Sequence, residues 1–428
     1  MFPLLTSWRN SPRWHIALSG GLDSTVLLHQ LATLARTQSL PPLHAIHVHH
    51  GLQAAADAWP QHCQRLCDAL GVPLTVVQVQ VAPGASLEAA ARDARYAAFE
   101  QALGPGEVLL TGQHRDDQAE TLLFRLLRGT GVRGLTGMAA QRPLGQGVLL
   151  RPLLNTGRDA LETYAKANAL EWVEDPSNAD IRFSRNYLRN EVLPVIARRW
   201  PRFAQTFART ARHLAEAQAL LVEVAEQDLC PALVDSSFPW LGLPSLELSP
   251  LLSLSDGRQR NALQHWLSSL AKLPDTQHWA GWYNLRDAAP SATPVWALAG
   301  GQLVRSGSRL WWLPDDWSTL PEGVIDWARP DESLSLPGNG QVNLCGLTPQ
   351  GRVQIRYRQG GEVLKVEGRG HRDLKRLLNE SALPAFVRGR LPLLFVDGQL
   401  QAVANLPLGD EPTVILQWLP PTNAQRLR

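Results

Sequence analysis

The chain has 428 residues, of which 44% are hydrophobic and 19% are charged, with a formal net charge of +2. This composition excludes a disordered or fibrous chain, and the length predicts two or three domains, each with its own hydrophobic core. Four cysteines are too few for a disulfide framework, and neither a signal peptide nor a run of ~20 apolar residues is evident. We therefore expect a cytoplasmic protein with no membrane partner.

The first 150 residues alternate short β-rich runs with helical patterns, an order typical of parallel βαβ units. The predicted strands are 15–18, 44–48, 74–81, 108–111 and 148–150. The predicted helices are 24–35, 54–70, 86–103 and 116–127. The pattern predicts an α/β fold with a doubly wound, mostly parallel sheet, whose ligand crevice lies at the carboxyl ends of the strands.

After residue 151 the pattern becomes helical, with predicted helices at 158–168, 186–199 and 203–228. The following stretch, 231–330, holds nine of the fifteen tryptophans, for which we favour a core role over base stacking. It includes a small set of β-hairpins. We therefore predict three domains: an α/β catalytic domain (1–215), a mainly helical, Trp-rich middle domain (216–335) and a small α+β domain (336–428).

The last predicted domain carries a local positive charge. From Arg352 to Arg390 the sequence has ten Lys or Arg residues against four Asp or Glu. Four of them form a predicted basic stripe on one helix: Arg369, Arg372, Lys375 and Arg376. This stripe indicates contact with a nucleic-acid backbone, and a solvated basic face is the alternative.

An apolar strand runs into Ser19-Gly20-Gly21-Leu22-Asp23-Ser24 and then into a helix. Glycines at such a turn let backbone N–H groups and a helix N-terminus approach an anion, so the stretch fits a phosphate. It lacks the lysine of a Walker A loop and the spacing of a dinucleotide fingerprint. An aspartate beside a phosphate needs a cation between them, so Asp23 indicates Mg²⁺. On the glycines alone, a plain strand-to-helix turn is the alternative.

A second polar cluster spans residues 111–131. If a helix starts at 116 or 117, then Asp117, Glu120 and Thr121 share one face beside the crevice. Helix capping is the alternative, and it accounts for one aspartate but leaves His114, Glu120 and Arg128 unexplained. The histidines at 47, 49 and 50 are interpreted as structural, because alternating strand residues face opposite sides.

The stretch SGGLDS resembles the pyrophosphate loop (PP-loop) of the N-type ATP pyrophosphatases, which cleave ATP between its α and β phosphates. The cluster at 111–131 resembles that of the tRNA(Ile)-lysidine synthetase family, as do five further stretches: HVHHGL (47–52), RPLL (151–154), EDPSN (174–178), RNYLR (185–189) and LKRLLNESALPAFVRGRLPLLF (374–395). The resemblance covers most of the chain and is weak only in the Trp-rich middle. Ala385-Phe386 stands where the family leads us to expect Pro-Trp.

The resemblance implies an ATP-dependent ligase that joins lysine to C2 of the wobble cytidine of tRNA(Ile) with a CAU anticodon. The reaction would pass through an adenylated cytidine, release AMP and pyrophosphate, and change the tRNA from methionine to isoleucine identity. The resemblance implies that ATP is held by the loop residues Ser19, Gly20, Gly21, Leu22, Asp23 and Ser24.

For the remaining site residues we expect four roles. Arg128 would neutralise charge at the phosphates. Asp117 and Glu120 would bind the ammonium of free lysine, and His114 would accept its proton or serve only as scaffold. Arg185, Asn186 and Arg189 would contact phosphate or the lysine carboxylate, unless they are merely solvated, and the last two domains would bind tRNA. Whether the protein is a homodimer is left open.

Three other classes compete with this interpretation. A PP-loop tRNA thiolase would need a reactive cysteine, whereas Cys63 and Cys67 have the spacing of buried helical thiols. A non-catalytic ATP sensor would not need the second acidic cluster. A small-molecule amidotransferase would need a glutaminase nucleophile or a partner chain, and it has no evident use for a basic C-terminal domain.

Overall fold

The computed structural model describes residues 3–51, 54–81, 87–272, 278–289, 292–366, 370–406 and 414–421. By its internal contacts the chain divides into two units, Met1–Ala219 and Leu220–Arg428. This division places residues 220–428 in one unit, so the boundary between the last two domains stays a prediction. Within the described ranges, no helix is long and apolar enough to cross a membrane.

The first unit contains a six-stranded sheet in the order β3-β2-β1-β4-β6-β5. Its strands are β1 (Trp14–Ala17), β2 (Leu43–His49), β3 (Leu74–Gln78), β4 (Val108–Leu110), β5 (Gln141–Leu144) and β6 (Gly147–Leu150). All neighbouring pairs are parallel except the β5–β6 hairpin. The predicted doubly wound sheet is confirmed. The sequence missed β5, because QRPL has neither an apolar run nor a clean alternation.

The strand order changes direction between β1 and β4, since the chain winds from β1 to β2 on one side and adds β4 on the other. In doubly wound sheets this switch point opens a crevice at the carboxyl ends of the two strands. The loops that follow β1 and β4 therefore lie side by side. They carry the two motifs identified in the sequence.

Two apolar layers cover the two faces of this sheet. Ile16 of β1 and Leu110 of β4 belong to one buried cluster, together with much of the first helix. Leu109, the residue before Leu110, belongs to the other cluster with Phe99. Successive residues of a strand point to opposite faces, so a run of apolar residues marks a strand buried on both sides.

The helices of the first unit, with the last one extending into the second, are α1 (Leu22–Ala35), α2 (Trp59–Leu70), α3 (Leu87–Ala102), α4 (Arg115–Leu127), α5 (Val132–Leu135), α6 (Arg158–Ala167), α7 (Ser184–Tyr187), α8 (Leu193–Arg199) and α9 (Phe203–Leu229). The predicted helix 54–70 is divided into a 3₁₀ turn, Ala54–Ala58, and α2, whose first turn contains Pro60. Residue 86, the predicted start of α3, lies outside the described residues. The predicted helix 186–199 is interrupted by a π-helical turn, Leu188–Val192.

Over its described residues, the second unit has four sheets, with strand orders β7-β10-β9-β8, β11-β14-β17-β18, β12-β13-β19 and β15-β16. Its strands are β7 (Ser245–Glu247), β8 (Val295–Leu298), β9 (Gly301–Ser306), β10 (Arg309–Pro314), β11 (Val324–Asp326), β12 (Leu334–Ser335), β13 (Gln341–Gly346), β14 (Val353–Arg356), β15 (Val363–Val366), β16 (Gly370–Asp373), β17 (Leu393–Val396), β18 (Gln399–Val403) and β19 (Val414–Leu419). Its helices are α10 (Leu248–Leu252), α11 (Asp256–Leu267), α12 (Ala280–Asp287), α13 (Leu374–Glu380) and α14 (Ala385–Arg388).

Two predictions for this unit are confirmed. The Trp-rich segment forms the antiparallel hairpins β8–β9 and β9–β10. Eight of its nine tryptophans are buried and the ninth, Trp240, packs against the core and lies 5.7 Å from the ring of Trp418. These aromatic side chains therefore build the core, because their faces are covered by other apolar groups.

The predicted basic helix is wrong at its start. Residues 370–373 form strand β16, which pairs with β15, so Arg372 lies on a strand. Helix α13 begins at Leu374, where the Asp373 side chain accepts a hydrogen bond from the main-chain nitrogen of Arg376. Asp373 is thus the N-cap of α13, and strand β16 ends at the same residue. Arg369 lies outside the described residues.

One guanidinium lies at the centre of the second unit. Arg390 is 1% exposed and packs 5.0 Å from the ring centroid of Trp317. Its donors reach main-chain carbonyls of Asp316, Trp317, Thr319 and Gly338 and the side chain of Asn339. The side chain therefore joins the 316–319 and 338–339 segments through hydrogen bonds to neutral oxygens.

Candidate active site

The loop after β1 has the geometry of an anion cradle. Gly20 has φ of +85°, and a Cβ there would lie 3.2 Å from both Cys63 Sγ and Val173 Cγ2. The Ser24 hydroxyl accepts a hydrogen bond from the Ser19 main-chain nitrogen (3.2 Å) and donates to the Gly21 carbonyl (3.0 Å). Within the described residues no side chain caps α1 at Gly21, so amides of its first turn stay available to an anion.

The loop after β4 reaches this cradle through Gly112, which the sequence analysis did not single out. A Cβ at Gly112 would lie 3.0 Å from the main-chain carbon of Asp23 and 3.1 Å from the Ser24 nitrogen. Only glycine permits this approach without a shift of the backbone. The signal in the sequence was a glycine directly after a buried strand.

His114 and Asp117 together form the N-terminal cap of α4. His114 Nδ1 accepts a hydrogen bond from the Asp116 nitrogen (3.2 Å), and Asp117 Oδ2 accepts one from the His114 nitrogen (3.0 Å). Because Nδ1 acts as an acceptor, the proton of neutral His114 sits on Nε2. Nε2 lies 3.6 Å from Asp23 Oδ2 and 3.5 Å from Asp117 Oδ2. One imidazole thus joins the phosphate loop to the second cluster.

The ionisable groups of this cluster shift one another's pKa values. Burial raises the pKa of Asp23, with the charge of His114 opposing and that of Asp117 adding to the rise. Burial alone would lower the pKa of His114, but the carboxylates of Asp116, Asp117 and Asp23 raise it above its ordinary value. The cluster therefore favours a bound positive charge.

The residues present fit a Mg²⁺ ion shared with a ligand. Asp23 Oδ1 is buried and, within the described part of the chain, has no hydrogen-bond partner. Carboxylate oxygens are the protein ligands that Mg²⁺ prefers, usually only one or two of them, completed by water and phosphate oxygens. Across the described ranges, no group of three His, Cys, Asp or Glu side chains could hold a metal by itself. Asp23 therefore suits an ion that phosphates also bind.

Asp117 and Glu120 lie on one face of α4, as expected, and both contact Arg189. Arg189 Nη2 lies 2.7 Å from Glu120 Oε2 and 3.2 Å from Asp117 Oδ1. Burial raises the pKa of Glu120, which is 3% exposed, and Arg189 opposes that rise. Burial would lower the pKa of Arg189, but Glu120 and Asp117 raise it. Arg189 lies in the π-helical turn, a feature often found at functional sites.

Arg185 and Asn186, in α7 just before Arg189, make different contacts from each other. Arg185 Nη1 lies 3.8 Å from Glu120 Oε1. Asn186 donates to the carbonyls of Ser177 (2.8 Å) and Asp180 (3.0 Å). In this structure Asn186 therefore positions the 175–180 loop.

Arg128 lies away from His114, at the opposite end of α4. It follows the last residue of α4, and at 1.5 Å per residue its Cα lies about 20 Å along the helix from that of His114. Its guanidinium packs 5.2 Å from the ring centroid of Phe124. Arg158, which the sequence analysis missed, is closer: its main-chain nitrogen donates to Asp116 Oδ2 (3.0 Å), and its charge lowers the pKa of Asp23.

The cradle opens into two cavities. One has a volume of about 840 Å³ and is lined by Asp23, Trp59, Arg158 and Arg189, among others. The other has about 400 Å³ and lies at the carboxyl ends of β1, β2 and β4. A third cavity, of about 450 Å³, is lined by His114, Asp117, Glu120 and Arg189. These volumes fall in the range of small-molecule sites, so the two motifs face space for a nucleotide and a second substrate.

The fold, the glycine cradle and the acidic cluster define an ATP-binding protein of the PP-loop class, and a PP-loop domain model matches residues 3–196. Models described as the TilS substrate binding domain and the TilS substrate C-terminal domain match residues 246–311 and 353–415. The chain belongs to the tRNA(Ile)-lysidine synthase family. The family predicted from the motifs is thereby confirmed, as are the use of ATP and the assignment as an enzyme.

The relatives of that name match over nearly the whole chain. The one from Pseudomonas putida is 61% identical, with 99% of each chain covered. The one from Coxiella burnetii is 39% identical, with 95% of this chain and 91% of the relative covered. Among solved structures, the U34-tRNA thiolase NcsA from Methanococcus maripaludis is 17% identical with a TM-score of 0.40, covering 49% of this chain and 74% of that one.

Proposed function

We propose that the chain uses ATP and Mg²⁺ to join free lysine to C2 of the wobble cytidine of a tRNA(Ile) with a CAU anticodon. The family supports this reaction. The observation that carries the site is the position of His114 Nε2, which lies within 3.6 Å of a carboxylate from each motif. The groups for phosphate chemistry and those for a cationic substrate thus meet at one imidazole. A tRNA substrate also fits a cytoplasmic location.

In the first step the C2 oxygen of the cytidine attacks the α-phosphorus of ATP, and the bond from that phosphorus to the bridging oxygen breaks. The amides of the Ser19–Ser24 loop hold the departing pyrophosphate. Asp23 would hold Mg²⁺, whose charge would offset the negative charge of the phosphates. Arg158 and Arg189, rather than Arg128, are the arginines whose charges act on Asp23.

In the second step the ε-nitrogen of lysine attacks C2, and the bond from C2 to the adenylated oxygen breaks to release AMP. Asp117 and Glu120 attract the lysine ammonium, which takes over part of the contact that Arg189 now makes. The ammonium must lose a proton before it attacks. We assign this proton to His114 Nε2. Nε2 can accept it only in the other tautomer, in which Nδ1 gives up the hydrogen bond from the Asp116 nitrogen and carries a proton that points to Asp116 Oδ2, 3.7 Å away.

The second unit would hold the body of the tRNA. Lys375 is exposed on α13 and Arg372 is partly buried on β16, while Arg376 pairs with Glu380 at 3.0 Å. Removal of the chain after residue 340 is a poor test of this role, because the removed part contains most of one hydrophobic core. The double variant Arg372→Ala, Lys375→Ala leaves the core intact. We expect it to weaken tRNA binding and leave ATP binding unchanged.

The chemistry of Cys63 and Cys67 does not favour the alternative of sulfur transfer. Burial raises the pKa of Cys63 to about 12 and that of Cys67 to about 11. The thiolate is the reactive form of cysteine, so these two thiols are unreactive at neutral pH. The acidic face of α4 offers a site for a cation instead.

The assay contains the protein, ATP, Mg²⁺, radiolabelled lysine and a tRNA(Ile) transcript with a CAU anticodon. We expect label in the tRNA, with one AMP released for each lysine incorporated. The control is the same transcript with uridine at the wobble position, which lacks the cytidine to be adenylated and should take no label. Formation of AMP without labelled tRNA would overturn the assignment of lysine as second substrate.

A further inference from the structure

Two arginines of α3, Arg92 and Arg95, line both the candidate ATP cavity and a second cavity of the first unit. Arg92 and Arg95 line the cavity of about 400 Å³ that contains Ser19, Gly21 and Asp23. They also line a neighbouring cavity of about 600 Å³ that does not include the residues of the phosphate loop. The two guanidiniums therefore stand on the wall shared by the ATP cavity and the space beside it.

Arg95 has no anionic partner within the described residues. It is partly buried, and burial lowers the pKa of its guanidinium. The charges that act on it are those of Tyr96 and Arg92, and no carboxylate is among them. Burial of a charge without a counter-ion costs free energy, so the folded protein gains from an anion bound at this place. This contrasts with Arg189, which Asp117 and Glu120 neutralise.

Other cationic side chains lie close to Arg95, although Asp175 and Asp180 also line the cavity of about 600 Å³. The guanidiniums of Arg92 and Arg142 each lie 4.9 Å from the ring centroid of Tyr96. Burial, and then the charge of Arg95, lower the pKa of His50, so this imidazole is neutral beside the cluster. Its Nδ1 is buried and, in the described part of the chain, unpartnered.

Aromatic side chains line the neighbouring cavity too. Trp59 and Phe183 are both partly buried and both border the space of about 600 Å³. Single-stranded nucleic acids bind through a combination of basic groups for the phosphates and aromatic faces for the bases. The cavity offers both within reach of the phosphate loop.

We propose that Arg92 and Arg95 bind a backbone phosphate of the tRNA beside the cytidine that becomes adenylated. The proposal rests on the proposed function and adds the contact that holds the nucleotide strand at the ATP site. The phosphates of ATP already have the Ser19–Ser24 cradle. The other substrate that carries phosphates is the tRNA, through the phosphodiesters of its anticodon loop. The bases next to such a phosphate can occupy the adjoining cavity.

The test measures binding of an unmodified tRNA(Ile) transcript and, separately, of ATP by wild-type protein and by the Arg95→Met variant. We expect the variant to bind the tRNA ~10-fold more weakly, since a hydrogen bond to a charged group is lost. The slope of log Kd against log salt should fall by about 0.7 to 0.9 for each phosphate contact removed. The affinity for ATP alone should not change. Arg92→Met should act in the same direction with a smaller effect.

Arg142→Met is the matched control, because Arg142 contacts the same tyrosine ring but lines neither cavity. Its tRNA affinity and salt slope should equal those of the wild type. The melting temperature of Arg95→Met distinguishes a binding role from a structural one. An unpaired buried guanidinium does not stabilise the fold, so its replacement by methionine should leave Tm unchanged or raise it.

Three outcomes would overturn the proposal. The first is equal tRNA affinity of wild type and Arg95→Met. The second is weaker ATP binding with unchanged tRNA binding, which would assign the arginines to the nucleotide. The third is a large fall in Tm that accounts for the loss of binding. Wild-type protein that does not bind the transcript would instead contradict the proposed function.

Discussion

Arg189 and Arg390 show two ways in which this protein accommodates a buried or partly buried guanidinium. Arg189 contacts two carboxylates in the strand-end crevice, and its side chain is 37% exposed. Arg390 is fully buried and donates to four main-chain carbonyls and one amide oxygen. Charged partners at a cavity wall can be exchanged for those of a ligand. The buried main-chain carbonyls around Arg390 belong to separate segments, which the guanidinium holds together. We therefore regard Arg390 as structural and Arg189 as part of the site.

Substitutions in the two regions should therefore affect different properties, namely catalysis in the crevice and stability around Arg390. In the crevice, burial and the charge of Asp117 raise the pKa values of Asp23 and Glu120, so removal of a charge should affect chemistry more than stability. Around Arg390, loss of the donor leaves buried carbonyls without partners, so stability should fall. Four substitutions test this contrast, from the largest expected effect to the smallest.

The substitution Asp23→Asn should reduce the rate at which ATP releases pyrophosphate in the presence of tRNA by at least ~100-fold. It removes the carboxylate that would hold Mg²⁺. Burial raises the pKa of Asp23, so a neutral amide there should not lower the stability of the fold. Pyrophosphate release and thermal unfolding measure the two effects. Asp159→Asn, an exposed aspartate in the first turn of α6, is the control and should retain wild-type turnover. Wild-type turnover by Asp23→Asn would exclude the Mg²⁺ role.

The substitution Arg390→Met should destabilise the second unit by ~3 to 5 kcal/mol, because buried carbonyls lose their donor. Urea unfolding followed by tryptophan fluorescence measures this, since most tryptophans lie in that unit. ATP binding by the first unit should remain. Arg376→Met, which breaks only an exposed pair with Glu380, is the control and should unfold as the wild type does. Equal stability of the two variants would show that the carbonyl contacts of Arg390 contribute little.

The substitution Glu120→Gln should raise the KM for lysine ~10-fold or more, because a charge that attracts the ammonium is lost. Adenylation of the tRNA in the absence of lysine should continue. AMP transfer to tRNA and incorporation of labelled lysine separate the two steps. Asp93→Asn, on an exposed face of α3, provides a carboxylate-to-amide control. If Glu120→Gln abolished both steps equally, Glu120 would serve the fold or ATP rather than lysine.

The substitution Asp116→Asn should move the acidic limb of the kcat profile to lower pH, by less than about one unit. The carboxylate of Asp116 helps to raise the pKa of His114. Without it the imidazole loses its proton at a lower pH, so a base that must be neutral becomes active there. The maximal rate should also fall, because Nδ1–H exchanges a negatively charged acceptor for a neutral amide oxygen. Asp93→Asn, at an exposed position of α3, is the control. An unshifted acidic limb in Asp116→Asn would show that His114 only caps α4.

The sequence predicted the parallel strands and the major helices of the first unit because local patterns specify them. Runs of apolar residues mark strands that are buried on both faces, and glycine pairs mark their ends. It did not predict strand β5, whose pairing with β6 compensates for a weak local pattern. It also extended the basic helix over His371–Asp373, where pairing with β15 prevails over helical spacing.

For the site, the spacing on α4 was enough to place Asp117 and Glu120 on one face, since an α-helix repeats every 3.6 residues. Their contact with Arg189 spans 72 and 69 positions of the chain, and no local pattern reports such a distance. The same holds for Arg158 and Arg95, whose roles depend on which loops meet at the crevice. Arg128 is the converse case, because closeness in sequence to Glu120 did not bring it to the phosphate loop.

The sequence by itself determined the class of chemistry. Gly20, Gly21 and Asp23 in one short loop favour an anion and its counter-ion, because the glycines admit an anion and the aspartate needs a cation beside it. The tertiary structure decided which charges are neutralised and which are left for a ligand, because long side chains find partners across the sheet rather than along the chain. Arg189 is paired, Arg390 is enclosed by carbonyls, and Arg95 has no carboxylate partner among the described residues. That distribution of partners follows from packing, which composition and motif spacing do not specify.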